Sequence, residues 1–245
     1  MPAETVLVLG GTAEASILVQ RIAAAFPRWR VILSLAGRTL APVLPGGGEV
    51  RIGGFGGREG LAAFIRLEGV THLVDATHPF AAGISRNAAE AAATTGVRRI
   101  ALLRPAWEEQ PGERWIKVDC LAAAAESLPP GARTFLALGR QHLSPFARRN
   151  DVSFTVRMVD PPTEPLPFPA ELVLGKPGPA EAEEELFRAL AVTHLVSRNS
   201  GGAASYAKIE AARRLGLAVV MIERAAAPPP PLAATLGEVM AWLNA

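Results

Sequence analysis

Uninterrupted apolar runs recur along this chain, each closed by a turn and followed by apolar residues at helical spacing. The first is Thr5-Val6-Leu7-Val8-Leu9, which stops at Gly10 and Gly11. Ile17, Leu18, Ile22 and Phe26 then recur with a helical period and end before Pro27, whose ring disfavours helix in the residue ahead of it. Residues 31–36, 50–52, 71–74 and 99–103 read as further strands. Continuous rather than alternating hydrophobicity marks strands covered on both faces, as in a parallel sheet. Leu61, Phe64 and Ile65, and then the alanine-rich residues 81–95, supply helices between those strands.

The second half repeats the scheme. Strands are expected at 115–118, 134–138, 152–156 and 171–174, with a proline-rich passage at 161–169 that fits neither helix nor central strand. Val70-Thr71-His72-Leu73-Val74 reappears as Val192-Thr193-His194-Leu195-Val196. The helices that follow end at Gly96 and Gly216, and Arg104 and Arg224 follow the last strand of each half. Two similar α/β lobes in tandem, with parallel sheets and a cleft between them, are the simplest account. Residues 104–114 read as the crossing, so the expected domains are 1–112 and 113–245. Residues 228–231 read as a stiff proline spacer before a closing helix built on Leu236, Val239, Met240 and Leu243.

Composition narrows the class. At 245 residues and 49% hydrophobic content the chain has ample core, and its formal charge is only +2 with no Lys/Arg block, which argues against nucleic acid as a partner. Cys120 is the single cysteine, so no internal disulfide exists, a reducing compartment is expected, and the thiol reads as a small buried hydrophobe. No apolar run approaches the roughly 20 residues that span a bilayer, and no basic segment precedes a cleavable apolar one. A soluble cytoplasmic protein without a membrane partner is the expectation.

The chemistry lies at strand ends. Gly10, Gly11, Thr12 and Ala13 form a strand-to-helix turn whose free N–H groups suit a phosphate. The end of the second strand reads the adenosine ribose in a dinucleotide fold; it carries no carboxylate here but offers Arg38 and Thr39, which favours NADP over NAD. Gly54 and Phe55, in a run of four glycines around one aromatic, suit close approach to a flat group. Asp75, Thr77 and His78 follow the fourth strand, at the nicotinamide end of such a site.

In the second lobe Arg140 and Gln141 replace the second glycine and the threonine, making a less open turn. Its strand end instead offers Arg198, Asn199, Ser200 and Gly201, then Tyr206 and Lys208, donors suited to carboxylates. Tyr206 and Lys208 are two apart and would point to different sides of a helix, which disfavours a shared Tyr/Lys mechanism. Glu181, Glu183, Glu184 and Glu185 read as a solvated helix face, and no metal site, Ser/His/Asp setting or Walker lysine is present.

The stretches 9–15, 53–56, 75–81, 198–202 and 206–212 together resemble the precorrin-6A reductases of cobalamin biosynthesis. The resemblance spans nearly the whole chain, and Asp75-Ala76-Thr77-His78-Pro79-Phe80-Ala81 is its most specific element. It implies two Rossmann-like lobes with the active site between them and NADPH-dependent reduction of one macrocycle double bond, giving precorrin-6B. Anaerobic-pathway relatives reduce the cobalt-containing form. Under this reading His78, Tyr206 and Lys208 are proton donors or anchors, and Arg86, Arg104, Arg198 and Lys208 hold the acetate and propionate groups of a tetrapyrrole. The competing class is a non-catalytic two-lobed protein that closes on a small anion.

Overall fold

The computed structural model describes residues 4–37 and 46–245; Arg38 and Thr39 lie outside the described residues. The chain divides into two compact units, one of residues 1–104 with 226–245 and one of residues 105–225.

In the first unit, β1 (Thr5–Leu9), β2 (Arg30–Leu35), β3 (Glu49–Ile52), β4 (His72–Asp75), β5 (Arg98–Leu102) and β12 (Leu232–Ala233) form one parallel sheet. Its order is β12-β5-β4-β1-β2-β3, so β1 is flanked by β2 and β4 and the strand order reverses at the β1/β4 boundary. All five residues of β1 are buried, as its continuous apolar run requires. Val6 and Val8 pack beneath α1 (Ala13–Ala25) and α7 (Leu236–Asn244), while Leu7 and Leu9 face α2 (Gly57–Leu67) and α3 (Ala82–Thr95). Alternate residues of one strand thus feed two cores, and that is why it shows no polar face.

The second unit holds β6 (Arg114–Val118), β7 (Arg133–Ala137), β8 (Ser153–Met158), β9 (Ala170–Leu174), β10 (His194–Arg198) and β11 (Ala218–Ile222). Their order, β6-β11-β10-β7-β8-β9, matches the first sheet position for position, and every pairing is parallel. Phe135, Phe187, Leu195, Ile209 and Met221 form a core beneath α5 (Ala180–Ala189) and α6 (Ala207–Arg214). One difference matters: β1 leads into the 13-residue α1, whereas β7 leads into two short 3-10 turns at Arg140–His142 and Ser144–Arg148. Only the first unit therefore opens its sheet with a full helix dipole.

The sixth strands are exchanged. β6 follows β5 in the chain but hydrogen-bonds to β11, while β12 follows β11 but hydrogen-bonds to β5. Each carries a capped helix with it. Cys120 caps α4 (Leu121–Glu126), and Thr235 caps α7, with Glu238 reaching back to the Ala234 N–H. The units accordingly separate at 104/105 and again at 225/226, not at 112/113, because residues 226–245 return to the first core through Ala233, Val239 and Leu243. Residues 228–231 lead directly into β12, with the Pro231 carbonyl accepting from the Ala101 N–H. Cys120 is exposed as the α4 cap rather than buried. No helix among the described residues is long and apolar enough to cross a membrane.

Candidate functional site

Two clusters lie at the carboxyl ends of strands, one in each unit. In the first, Thr12 caps α1 by accepting from the Ala15 N–H at 3.1 Å. The same hydroxyl donates to the Ala76 carbonyl at 2.8 Å. One side chain thus fixes the β1–α1 turn to the loop after β4, across the point where strand order reverses. A Cβ on Gly10 would stand 2.5 Å from the Leu33 side chain, so that position is packed against β2. Gly11 differs: its φ is +106°, and a Cβ there would meet nothing within 4 Å. The turn is therefore both left-handed and open, and the first N–H groups of α1, starting at Ala13, have no intrahelical acceptor.

Asp75, 3% exposed, accepts through Oδ1 from the Thr77 hydroxyl at 2.6 Å and the Thr77 N–H at 3.2 Å. Its Oδ2 is buried with no hydrogen-bond partner among the described residues. A buried unpaired carboxylate oxygen is costly unless something else satisfies it. His78 Nδ1 accepts from the Phe80 N–H, so the neutral ring presents its proton on Nε2. Gly54 and Phe55 sit beyond β3, where Phe55 packs edge-on to Phe64 at 5.2 Å. Arg86 is exposed on α3. Arg104 pairs with Glu14 at 2.8 Å, and so neutralises the one carboxylate in the first turn of α1.

The second cluster surrounds Trp107 and the end of β10. Asn199, 2% exposed, holds Trp107 at both backbone groups, accepting from its N–H at 2.8 Å and donating to its carbonyl at 3.0 Å. Gly201 has φ +64°, and a Cβ there would lie 2.1 Å from the Pro105 carbonyl. Asn199 and Gly201, expected to contact substrate, are thus committed to the 105–107 segment. Ser200 is buried beside them, and Arg198 donates to His142 Nε2 at 3.1 Å. Tyr206 donates to Glu113 at 2.6 Å, and burial, reinforced by that carboxylate, pushes its phenol up to about 12.

Lys208 is 6% exposed, donates to the Ser205 carbonyl, and lies 5.0 Å from the Trp107 ring centroid. Burial pushes its ammonium down from 10.5 to about 8; Glu183 opposes that shift, while Arg157 and Arg198 add to it. Glu183 is itself 2% exposed and paired with Arg157, so it does not belong to a solvated helix face. Arg157 and His142 are the functional candidates that the sequence pattern did not single out. Arg157 sits inside a strand whose alternation looks ordinary, and its Nε is buried without a partner among the described residues. No metal-binding group of three or more His, Cys, Asp or Glu occurs among the described residues.

Lys208 carries a stability prediction. Between pH 8 and 10.5 the unfolded lysine holds a proton that the folded one has released. The unfolded state then binds more protons, so stability rises with pH across that window. Urea midpoints at pH 8 and 9.5 should show this rise in the wild type and not in Lys208→Met; parallel profiles would mean that Lys208 titrates normally.

Comparison with known proteins follows the same lines. The family model described as precorrin-6x reductase CbiJ/CobK matches residues 5–244. The precorrin-6A reductase of Rhodobacter capsulatus is 48% identical over 243 residues, covering 97% of this chain and 94% of the relative. That of Rhodococcus erythropolis is 45% identical, covering 98% and 97%. A solved structure described as CobK precorrin-6A reductase superposes with a TM-score of 0.93 at 47% identity, covering 98% of this chain and 96% of that one.

Proposed function

The chain belongs to the precorrin-6x reductase CbiJ/CobK family and is a reductase of cobalamin biosynthesis, and from that premise we propose that it reduces one double bond of the metal-free precorrin-6A macrocycle with NADPH, giving precorrin-6B. The observation that carries the cofactor half of this reading is the Thr12-tethered turn. It is open at Gly11, lies at the point of strand reversal, and is backed by a full helix only in the first unit. Ligands of open α/β sheets bind at that position, with pyrophosphate on the helix N-terminus. The orphaned Asp75 Oδ2 fits a ribose or carboxamide donor at the other end of the dinucleotide. The residues present therefore suit a nicotinamide dinucleotide.

NADPH, when bound, supplies a hydride to an electrophilic carbon of the conjugated ring. The chain's part is to orient and to move a proton. Gly10, Gly11, Thr12 and Ala13 hold the pyrophosphate, while Asp75 turns the Thr77 hydroxyl proton inward and leaves that oxygen's lone pairs for the cofactor. In the second unit Arg157, Arg198 and Lys208 act on one another electrostatically, and these cationic side chains suit the ring's acid groups. Lys208 is the stronger acid of the two side chains first expected there, since Tyr206 is engaged with Glu113 and shifted away from neutrality.

Initial-rate assays with metal-free precorrin-6A test the reading. NADPH oxidation should depend on the tetrapyrrole and exceed NADH oxidation at equal concentration. A faster reaction with the cobalt-loaded ring would transfer the assignment to the cobalt form. NADPH binding without turnover on either ring would favour the non-catalytic reading. Arg38→Ala should weaken NADPH about 10-fold or more, the effect of losing one charge-assisted bond, and spare NADH. Equal loss for both cofactors removes Arg38 from the 2′-phosphate.

A further inference from the structure

Arg51 places a positive charge at the adenosine end of the first sheet that none of the roles above uses. It lies in β3, in register with Ser34 of β2, beside the strand whose end reads the adenosine ribose in this fold. Its guanidinium lies over Phe55, 3.9 Å from carbon to ring centroid, with Phe64 behind at 5.2 Å. Nη1 donates to the Gly53 carbonyl at 2.5 Å and Nη2 to the Gly54 carbonyl at 2.6 Å, while Ser34 Oγ is 3.4 Å from Nη1.

Among the described residues no carboxylate pairs with Arg51. Arg30, at the other end of β2, shows the contrast: Glu49 and Glu68 hold it at 2.7 and 2.8 Å. Carbonyl oxygens satisfy the donors of a guanidinium without cancelling its charge. The aromatic face adds only a modest attraction. What remains is an oriented cation, half-buried and fixed in a plane, whose adjoining loop is open: a Cβ on Gly53, Gly54 or Gly56 would meet nothing within 4 Å. Planar forks of this kind suit phosphate oxygens.

Resting on the NADPH reading above, we propose that Arg51, stacked on Phe55, is a second specificity-determining residue, which binds the 2′-phosphate of the adenosine half and adds to the preference for NADPH over NADH expected from Arg38. The Gly53–Gly54 turn then acts as its mount, and Phe55 as the plate that keeps the fork facing outward.

Calorimetric titration with 2′,5′-ADP and with 5′-AMP, which lacks the 2′-phosphate, separates the possibilities without any turnover. The wild type should prefer 2′,5′-ADP. Arg51→Met, whose stem still covers Phe55, should lose about 10- to 100-fold in affinity for 2′,5′-ADP and bind 5′-AMP as before. Arg51→Lys keeps a point charge but not the fork, and should fall between the two. Equal losses for both ligands in Arg51→Met would make Arg51 a loop anchor only and overturn the proposal. So would an unchanged ratio in a protein that still prefers 2′,5′-ADP, and there the NADPH reading itself would survive. A wild type with no preference would sink that reading instead.

Discussion

Gly11→Val is expected to abolish useful NADPH affinity, raising Kd by about 100-fold, while the protein stays folded. The backbone at Gly11 is left-handed, so a β-branched residue adds strain on the order of 1–3 kcal/mol. Apart from its chain neighbours, the new Cβ meets no atom of the described residues within 4 Å, so the side chain would enter the space proposed for the pyrophosphate. Losing hydrogen bonds to a charged group costs about 1.5–3 kcal/mol each, so two such bonds at the lower end of that range give the stated factor. Fluorescence titration with NADPH, alongside a thermal melt, measures both halves. Unchanged affinity in a folded variant would remove the turn from the cofactor site.

Asn199→Ala should act in the opposite way, on stability rather than on cofactor binding. Its amide satisfies both backbone groups of Trp107 from a nearly inaccessible position and lies 3.4 Å from Glu223. Deletion strands a part-buried N–H and a carbonyl, at about 1–3 kcal/mol each, so a loss of about 3 kcal/mol in urea unfolding is expected. NADPH affinity should hold. A variant of wild-type stability with a raised KM for the tetrapyrrole would return Asn199 to the substrate-contact role that its position in the motif first suggests.

These two residues show what can be read from a sequence of this kind. The β1–α1 turn is legible because its causes are local: an apolar run, two glycines, and a threonine placed to cap. Even there, the second bond of Thr12, to Ala76, joins residues 64 apart and leaves no mark in the pattern. Asn199 looks like a free donor in a polar loop, yet its partner is 92 residues away. Gly10 to Ala13, Gly54, Phe55, Asp75 and Thr77 all lie at or just beyond the carboxyl ends of strands of the first sheet, as their places in the pattern suggest. The residues of the second unit expected to meet substrate divide: Lys208 lies near the charges of Glu183, Arg157 and Arg198, whereas Asn199 and Gly201 are committed to the 105–107 segment and Tyr206 to Glu113.

The strand exchange was hidden for a related reason. β6 and β12 are edge strands, and β12 is only two residues long. Edge strands carry no local signal of which sheet they join: chain order places β6 in the second unit, where it lies, but places β12 there too, although β12 pairs with β5 of the first. The difference is made by Ala233, Val239 and Leu243, which fill the core under α1. A polar residue in an alternating strand reads as solvent-facing, so the pattern marks neither Arg157 nor Arg51. Each in fact faces an aromatic ring, Phe135 for Arg157 and Phe55 for Arg51.

Deuterium transfer reports on hydride delivery from a cofactor bound at the β1–α1 turn. Under single turnover with metal-free precorrin-6A, NADPH carrying deuterium on one face of the nicotinamide C4 should place one deuterium on a carbon of the product macrocycle, and the opposite isotopomer should place none. At a cofactor concentration about ten times the wild-type Kd, Gly11→Val should slow both the transfer and NADPH oxidation by about 10-fold. A reduced macrocycle free of deuterium from both isotopomers would contradict direct hydride delivery from a cofactor held at the β1–α1 turn.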